Sequence, residues 1–220
     1  MSTGGFAFLP GVLHPQDNSN LLAALTDSPL RRSRAGARHI LSHPAVADIA
    51  SDERLLSMAR EVLGPQTFPF RATLFDKSAA TNWLVAWHQD TALPLVEPRE
   101  TQGCGPWSIK DGVHYAHAPA SALEQVLALR LHLDDSIAEN GPLRVLMGTH
   151  TMGVLTDEQT HETAATHASV ECLMPRGGIV AMRPLLIHAS SKSQSDLPRR
   201  VLHIEYAAHT DIAEPLTLAV

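Results

Sequence analysis

Leu127-Ala128-Leu129-Arg130-Leu131-His132-Leu133-Asp134 is the stretch that decides the fold class. Leucine fills each odd position, while Arg130, His132 and Asp134 fall on even ones. Side chains alternate between the two faces of a strand, so the run reads as a strand with an all-leucine face and a polar face. A short helical start from Leu123 precedes it. Downstream, Glu139-Asn140-Gly141-Pro142 is a turn and Leu143–Met147 the next strand. Similar short apolar stretches occur at Phe68–Phe75, Trp83–His88, Val170–Met174, Gly178–Met182, Leu185–His188 and Val201–Tyr206. Residues 91–120 read as a long irregular segment, with prolines and glycines between Pro94 and Pro106 and a tight turn at Asp111-Gly112. Asp157–Thr166 reads as a surface helix.

The first third has a different texture. Leu21, Leu22 and Leu25 suggest a short helix that ends near Pro29. Arg31, Arg32, Arg34 and Arg38 follow as a basic stretch, of which the first three read as a solvated face. Pro44 opens a second helix, with Val46 and Ile49 on one side. A third, capped by Ser51 or Asp52, carries Leu55, Leu56, Ala59, Val62 and Leu63 at helical spacing and stops at Gly64-Pro65. Many short strands after a helical start point to a β-sandwich or jelly roll carrying helices. One domain over residues 1–220 is expected, helical over 1–65 and with a jelly-roll core over 66–210.

Composition excludes several classes. Apolar residues make up 44% of the 220, enough for a core and against disorder. The net charge of −6 lacks the basic footprint that nucleic-acid phosphates require. No apolar run is long enough for a membrane helix, and Met1–Pro10 has no basic leader of a signal peptide. Two cysteines, Cys104 and Cys172, make no disulfide framework and read as inert. These features lead us to expect a soluble cytoplasmic protein without nucleic-acid or membrane partners.

The chain has thirteen histidines. Two histidines and a carboxylate on one side of a metal form the facial triad of non-haem Fe(II) sites, written as His-x-Asp/Glu with a distant His. The local motif is weak here, because His88-Gln89-Asp90, His132-Leu133-Asp134, His209-Thr210-Asp211 and His203-Ile204-Glu205 all satisfy it. Nothing downstream completes a triad for His209-Thr210-Asp211. His132-Leu133-Asp134 ends the leucine strand, and a hairpin-like turn follows. His88-Gln89-Asp90 ends a strand and opens onto the longest irregular segment, as a metal at a barrel mouth requires. His188 closes the apolar stretch Leu185–Ile187, and Arg199-Arg200 lies eleven residues on, suited to a forked pair with an anion. Trp83 and Trp87 read as packing residues, whereas His132 and His203 stand near the site or in the core.

In combination, Arg71-Ala-Thr-Leu-Phe-Asp-Lys77, Trp87-His-Gln-Asp90, Asn140-Gly-Pro-Leu-Arg-Val-Leu-Met-Gly-Thr-His150, Pro175-Arg-Gly-Gly178 and His188-Ala-Ser-Ser…Arg199-Arg-Val-Leu-His-Ile-Glu-Tyr206 resemble the phytanoyl-CoA dioxygenase family. The resemblance covers residues 36–208. It implies a double-stranded β-helix (a cupin-like jelly roll) and an Fe(II)/2-oxoglutarate-dependent oxygenase. By the same resemblance His88, Asp90 and His188 are the iron ligands, and Arg199 rather than Arg200 meets the distal carboxylate of 2-oxoglutarate. Arg130, Thr73 and Arg38 take positions that contact this co-substrate. The implied reaction consumes O2 and hydroxylates an unactivated C–H of a small molecule, releasing succinate and CO2. Ala189 stands where the family often has Gly, and Met147-Gly-Thr149 replaces Pro-Gly-Ser; neither removes a ligand. Asp90 argues against a halogenase, which needs a small residue there. A metallohydrolase using the same histidines and a non-catalytic jelly-roll binding module are the competing classes. The sequence carries no code for the substrate or the oligomeric state.

Overall fold

A computed structural model describes residues 3–33, 36–78, 81–99, 101–110 and 112–220. Arg34 of the basic stretch and Asp111 of the expected turn lie outside the described residues. The main sheet has seven strands in the order β1 (Phe6–Leu9), β12 (Ile179–Met182), β9 (Val126–His132), β14 (Arg199–Ala207), β4 (Phe68–Lys77), β3 (Gly36–Ala37) and β2 (Arg32–Ser33). Every pairing is antiparallel. The second sheet runs β11 (Ser169–Cys172), β10 (Leu143–Leu146), β13 (His188–Ser190) and β5 (Val85–His88). A third contains β6 (Ala92–Leu95), β8 (Val113–His117) and β7 (Trp107–Lys110), and β15 (Asp211–Ala213) pairs with β16 (Leu216–Thr217). The helices are α1 (Pro15–Asp27), α2 (Pro44–Ala50), α3 (Glu53–Leu63), α4 (Ala120–Leu123) and α5 (Asp157–Thr166). Among the described residues no helix is long and apolar enough to cross a membrane.

The alternation of β9 sorts the molecule into layers. Leu127, Leu129, Leu131 and Leu133 join Ala72 and Leu74 of β4 and Leu202, Ile204 and Tyr206 of β14 in one cluster with Leu21, Leu25, Val46, Ile49 and Leu55. Helices α1–α3 thus cover the outer face of the main sheet, and each leucine buried there contributes about 1.5–3 kcal/mol. Two polar ties fix the layer: Asn18 Nδ2 donates to the Leu133 carbonyl at 3.0 Å and Tyr206 Oη to that of Ala50 at 2.9 Å. Asp52 caps α3 by accepting from Arg54 N at 2.9 Å. The inner face carries Ala128, Val180 and Met182, which pack on Leu143 and Val145 of the second sheet. This is a jelly roll, with Arg130 and His132 directed into it from the polar face of β9.

Three segments differ from the sequence expectation. Residues 91–120 contain the antiparallel sheet β6–β8–β7, with Leu93 and Leu95 fully buried. Strands of four or five residues, one holding Pro94, are too short for their alternation to stand out. The first 65 residues are not helical alone, since β1, β2 and β3 extend the main sheet. Leu185–Ile187 is not a strand: the segment turns after Pro184, and His188 begins β13. Leu185 and Leu186 are buried in different clusters, so a fully buried turn produces the same apolar run as a strand.

Candidate metal centre and its two chambers

His88 ends β5 and His188 begins β13, and the two are register partners across that antiparallel pair. Asp90 lies two residues past His88, its backbone N–H tied to the Pro184 carbonyl at 2.9 Å. The His88 Nε2–Asp90 Oδ1 distance is 3.5 Å, that of His188 Nε2–Asp90 Oδ2 is 3.4 Å, and one ligand atom from each residue falls within 4.8 Å of the others. His88 Nδ1 lies 2.8 Å from the Ala86 carbonyl and His188 Nδ1 2.9 Å from that of Leu186. A carbonyl only accepts, so both Nδ1 atoms carry the proton and both Nε2 lone pairs point to the shared space. Burial pushes His188 down to about 4 despite the attraction of Asp90, which favours the neutral ligand form. Burial also opposes the Asp90 carboxylate, but His188 and His88 outweigh it and hold Asp90 well below the usual range. Two nitrogens and one carboxylate oxygen on one side of a metal are the donor set of non-haem Fe(II).

Two cavities meet at this triad, and His88, Asp90 and Phe75 line both. The inner one, about 90 Å³, is also walled by Trp83, Arg130, Leu143, Ser190 and Arg199. Arg199 is 3% exposed and Lys77 1% exposed, and they are direct partners across β14 and β4. Arg199 Nη2 donates to Ser190 Oγ and Nε to the Asn140 carbonyl, both at 3.3 Å. Lys77 Nζ donates to Ser190 Oγ at 2.7 Å and to the Ser191 carbonyl. Among the described residues neither cation has a carboxylate partner. Burial first, then Arg199, pushes Lys77 down to about 7. Two buried like charges facing each other destabilise a sheet unless an anion joins them. Gly141 permits the close packing: its φ is +68°, and a Cβ there would stand 2.4 Å from the Ser191 carbonyl oxygen.

Arg200 points the other way and forks Asp134 at 2.7 and 2.8 Å, which also removes Asp134 from the His132-Leu133-Asp134 pair. His132, 1% exposed, has no partner on either ring nitrogen among the described residues, and burial with Arg130 and Arg199 nearby pushes it down to about 3. His209 and Asp211 are exposed. Cys172 is buried, its thiol pushed up to about 12 by burial, and does not pair with Cys104. Trp83 lines the inner cavity, 5.3 Å from Lys77 Nζ, rather than serving only as packing, while Trp87 lies under Arg144 at 5.0 Å.

The outer cavity, about 290 Å³, lies on the other side of the triad. Arg38 and Thr73 are here, apart from Arg199 and Arg130, so the four expected co-substrate contacts divide between two chambers. A polar chain joins the two chambers: Arg130 Nη1 of the inner one meets His203 Nδ1 of the outer one at 3.0 Å, His203 Nε2 faces Glu205 at 3.7 Å, and Arg71 grips both Glu205 carboxylate oxygens. Burial and Arg130 keep His203 neutral. Lys77, Arg71 and Glu205 carried no assigned role in the sequence reading. The signal was present: the period of two that places Arg71 and Thr73 on the inner face of β4 also places Phe75 and Lys77 there.

The profile of the family described as Phytanoyl-CoA dioxygenase (PhyH) matches residues 5–201. An L-proline trans-4-hydroxylase of Streptomyces griseoviridis is 26% identical over 178 residues, covering 69% of this chain and 59% of that protein. An ectoine dioxygenase of Sphingopyxis alaskensis is 24% identical over 187 residues, covering 75% and 54%. The chain therefore spans less than two thirds of the length of these relatives. Among solved structures, AviO1 from Streptomyces viridochromogenes Tue57 superposes with a TM-score of 0.69 at 22% identity over 99% of this chain and 94% of that one. EctD from S. alaskensis with 2-oxoglutarate and 5-hydroxyectoine gives 0.71 at 19% identity over 93% and 72%. These likenesses bear on the fold.

Proposed function

The chain belongs to the phytanoyl-CoA dioxygenase (PhyH) family, and we propose that it is an Fe(II)- and 2-oxoglutarate-dependent oxygenase that hydroxylates an unactivated C–H of a small molecule. One observation carries the reading: a two-histidine, one-carboxylate cluster adjoins a chamber lined by the buried Arg199, whose register partner Lys77 is also buried, and among the described residues neither cation has a carboxylate partner. His88, Asp90 and His188 would hold Fe(II) through the Nε2 and carboxylate atoms that their backbone ties leave free. Arg199, Lys77 and Ser190 would hold the distal carboxylate of 2-oxoglutarate by charge-assisted hydrogen bonds, with Arg130 alongside. When bound, iron and 2-oxoglutarate supply the oxidising power: O2 is consumed, 2-oxoglutarate leaves as succinate and CO2, and a substrate C–H becomes C–OH.

The protein's own part is placement and exclusion of water. Phe75, walling both chambers, separates the co-substrate side from the substrate side. Arg38 and Thr73 lie on the substrate side in this assignment. A small substrate fits the outer cavity, and the relatives' names, a proline hydroxylase and an ectoine dioxygenase, are consistent with it.

Anaerobic addition of Fe(II) and then 2-oxoglutarate tests the reading. A weak visible charge-transfer band is expected for the wild type and none for His88→Ala. Absence of the band together with ester or amide hydrolysis would point to a metallohydrolase. A band without substrate-stimulated succinate release across a metabolite library would point to a binding module.

A further inference from the structure

The outer chamber concentrates positive charge that nothing around the metal neutralises. Its walls carry Arg38, Arg71 and Lys110 against two carboxylates, Asp90 and Glu205. Glu205 is gripped by Arg71, and Asp90 stands between His88 and His188. That leaves Arg38 and Lys110, both at exposed positions, and among the described residues neither meets a carboxylate. They come from different elements, Arg38 directly after β3 and Lys110 at the end of β7. Lys110 Nζ lies 4.9 Å from the centroid of the Tyr115 ring, which lines the same chamber as the two cations. Burial and repulsion from Arg38 and Arg71 lower the Lys110 pKa, so the cations bear on one another across one space. In a chain of net charge −6 this clustering runs against the composition.

We infer that the outer chamber takes a small organic anion as substrate, its carboxylate held at the mouth by Arg38 and Lys110 and its carbon skeleton lying along Tyr115 and Phe75 towards His88 and Asp90. That this occupant is the substrate rests on the oxygenase reading above. A cavity of about 290 Å³ suits a molecule of amino-acid or single-ring size. Anchoring the charge at the mouth fixes which end enters first, and so which carbon is presented to the metal.

The probe is benzoate, with benzamide as its neutral match. Protein loaded with Zn(II) in place of iron and saturated with 2-oxoglutarate is titrated with each and followed by ligand-observed NMR. Benzoate is expected to bind at least tenfold more tightly than benzamide. Lys110→Gln and Arg38→Gln each weaken benzoate at least fivefold and leave benzamide unmoved, while Lys110→Arg retains benzoate. Equal binding of the two ligands, binding of neither, or benzoate binding that survives both neutral substitutions overturns the inference. The 2-oxoglutarate signals in the same samples report separately on the oxygenase reading. If they show no binding, that reading falls, and the benzoate series still decides whether an anion site exists.

Discussion

Lys77→Met removes one of two cations that face each other across β4 and β14 while keeping most of the side-chain volume. Burial and Arg199 lower Lys77 from 10.5 to about 7, which by linkage corresponds to about 4 kcal/mol of destabilisation at pH 7. Opposing this are the hydrogen bonds to Ser190 Oγ and the Ser191 carbonyl, about 1 kcal/mol each. The free variant is therefore expected to be more stable than wild type by about 2 kcal/mol at pH 7. For 2-oxoglutarate the sign reverses: losing a charge-assisted contact worth about 1.5–3 kcal/mol raises Kd roughly 10- to 100-fold. The pH dependence follows. The folded pKa of Lys77 lies below its unfolded value, so the unfolded chain binds more protons between pH 7 and 10.5, and stability of the free protein rises across that window. A dicarboxylate favours the charged amine, so its affinity falls over the same window. Lys77→Met removes this contribution to both slopes. Urea unfolding and isothermal titration of Zn(II)-loaded protein at pH 7 and 9 measure both. A variant less stable than wild type that binds 2-oxoglutarate equally well would refute the reasoning and make Lys77 a structural amine satisfied by Ser190 and Ser191.

Arg199→Ala is expected to raise the KM for 2-oxoglutarate at least tenfold. Arg200→Ala should leave it within twofold and cost about 1 kcal/mol by releasing Asp134; succinate-release kinetics and thermal unfolding separate the two, and the reverse order would show that Arg200 is the anion ligand. Asp90→Ala should abolish substrate-dependent succinate formation and weaken Fe(II) binding in equilibrium dialysis; full activity would show that Asp90 is not a metal ligand. Glu205→Ala strands the Arg71 guanidinium in a buried site and should cost about 3–5 kcal/mol in chemical denaturation. A loss below about 1 kcal/mol would show that solvent already satisfies Arg71.

The layering of the fold was legible because one strand states it outright: the four odd leucines of β9 are the face that α1–α3 cover. His88, Asp90 and His188 were legible as a set only in combination with the surrounding motifs, since four His-x-acid pairs compete locally. The structure shows what the decoys do instead. Asp134 holds Arg200, Glu205 holds Arg71, and Asp211 accepts from Thr217 Oγ1 at 2.8 Å. What escaped the sequence were features whose cause is non-local. Lys77 gains its meaning from Arg199 opposite it, a pairing register that no local pattern encodes. Leu185–Ile187 is apolar because it turns between two clusters, and periodicity cannot distinguish that from a buried strand. Strands β6, β7 and β8 are too short for alternation to rise above their prolines and glycines.

His88 and His188 sit opposite each other although about a hundred residues of chain separate them. β5 is a four-residue edge strand, joined to β13 by two register pairs with an irregularity between them. An ion shared by the two imidazoles would therefore act as a rivet as well as a reagent. It would fasten a weakly laddered margin to the sheet interior and close a very long loop, where a clip removes the most freedom from the unfolded chain. Unlike a disulfide, such a rivet would leave with a chelator or a pulse of acid. Gln89, between the ligands His88 and Asp90, ties them outward, donating to the Gly153 and Leu185 carbonyls and accepting from Leu155 N, each at 2.8 Å. Metal loading should thus be readable far from any chemistry, as slowed amide exchange in β5 and around residues 153–155 while the leucine-faced sheet stays as it was.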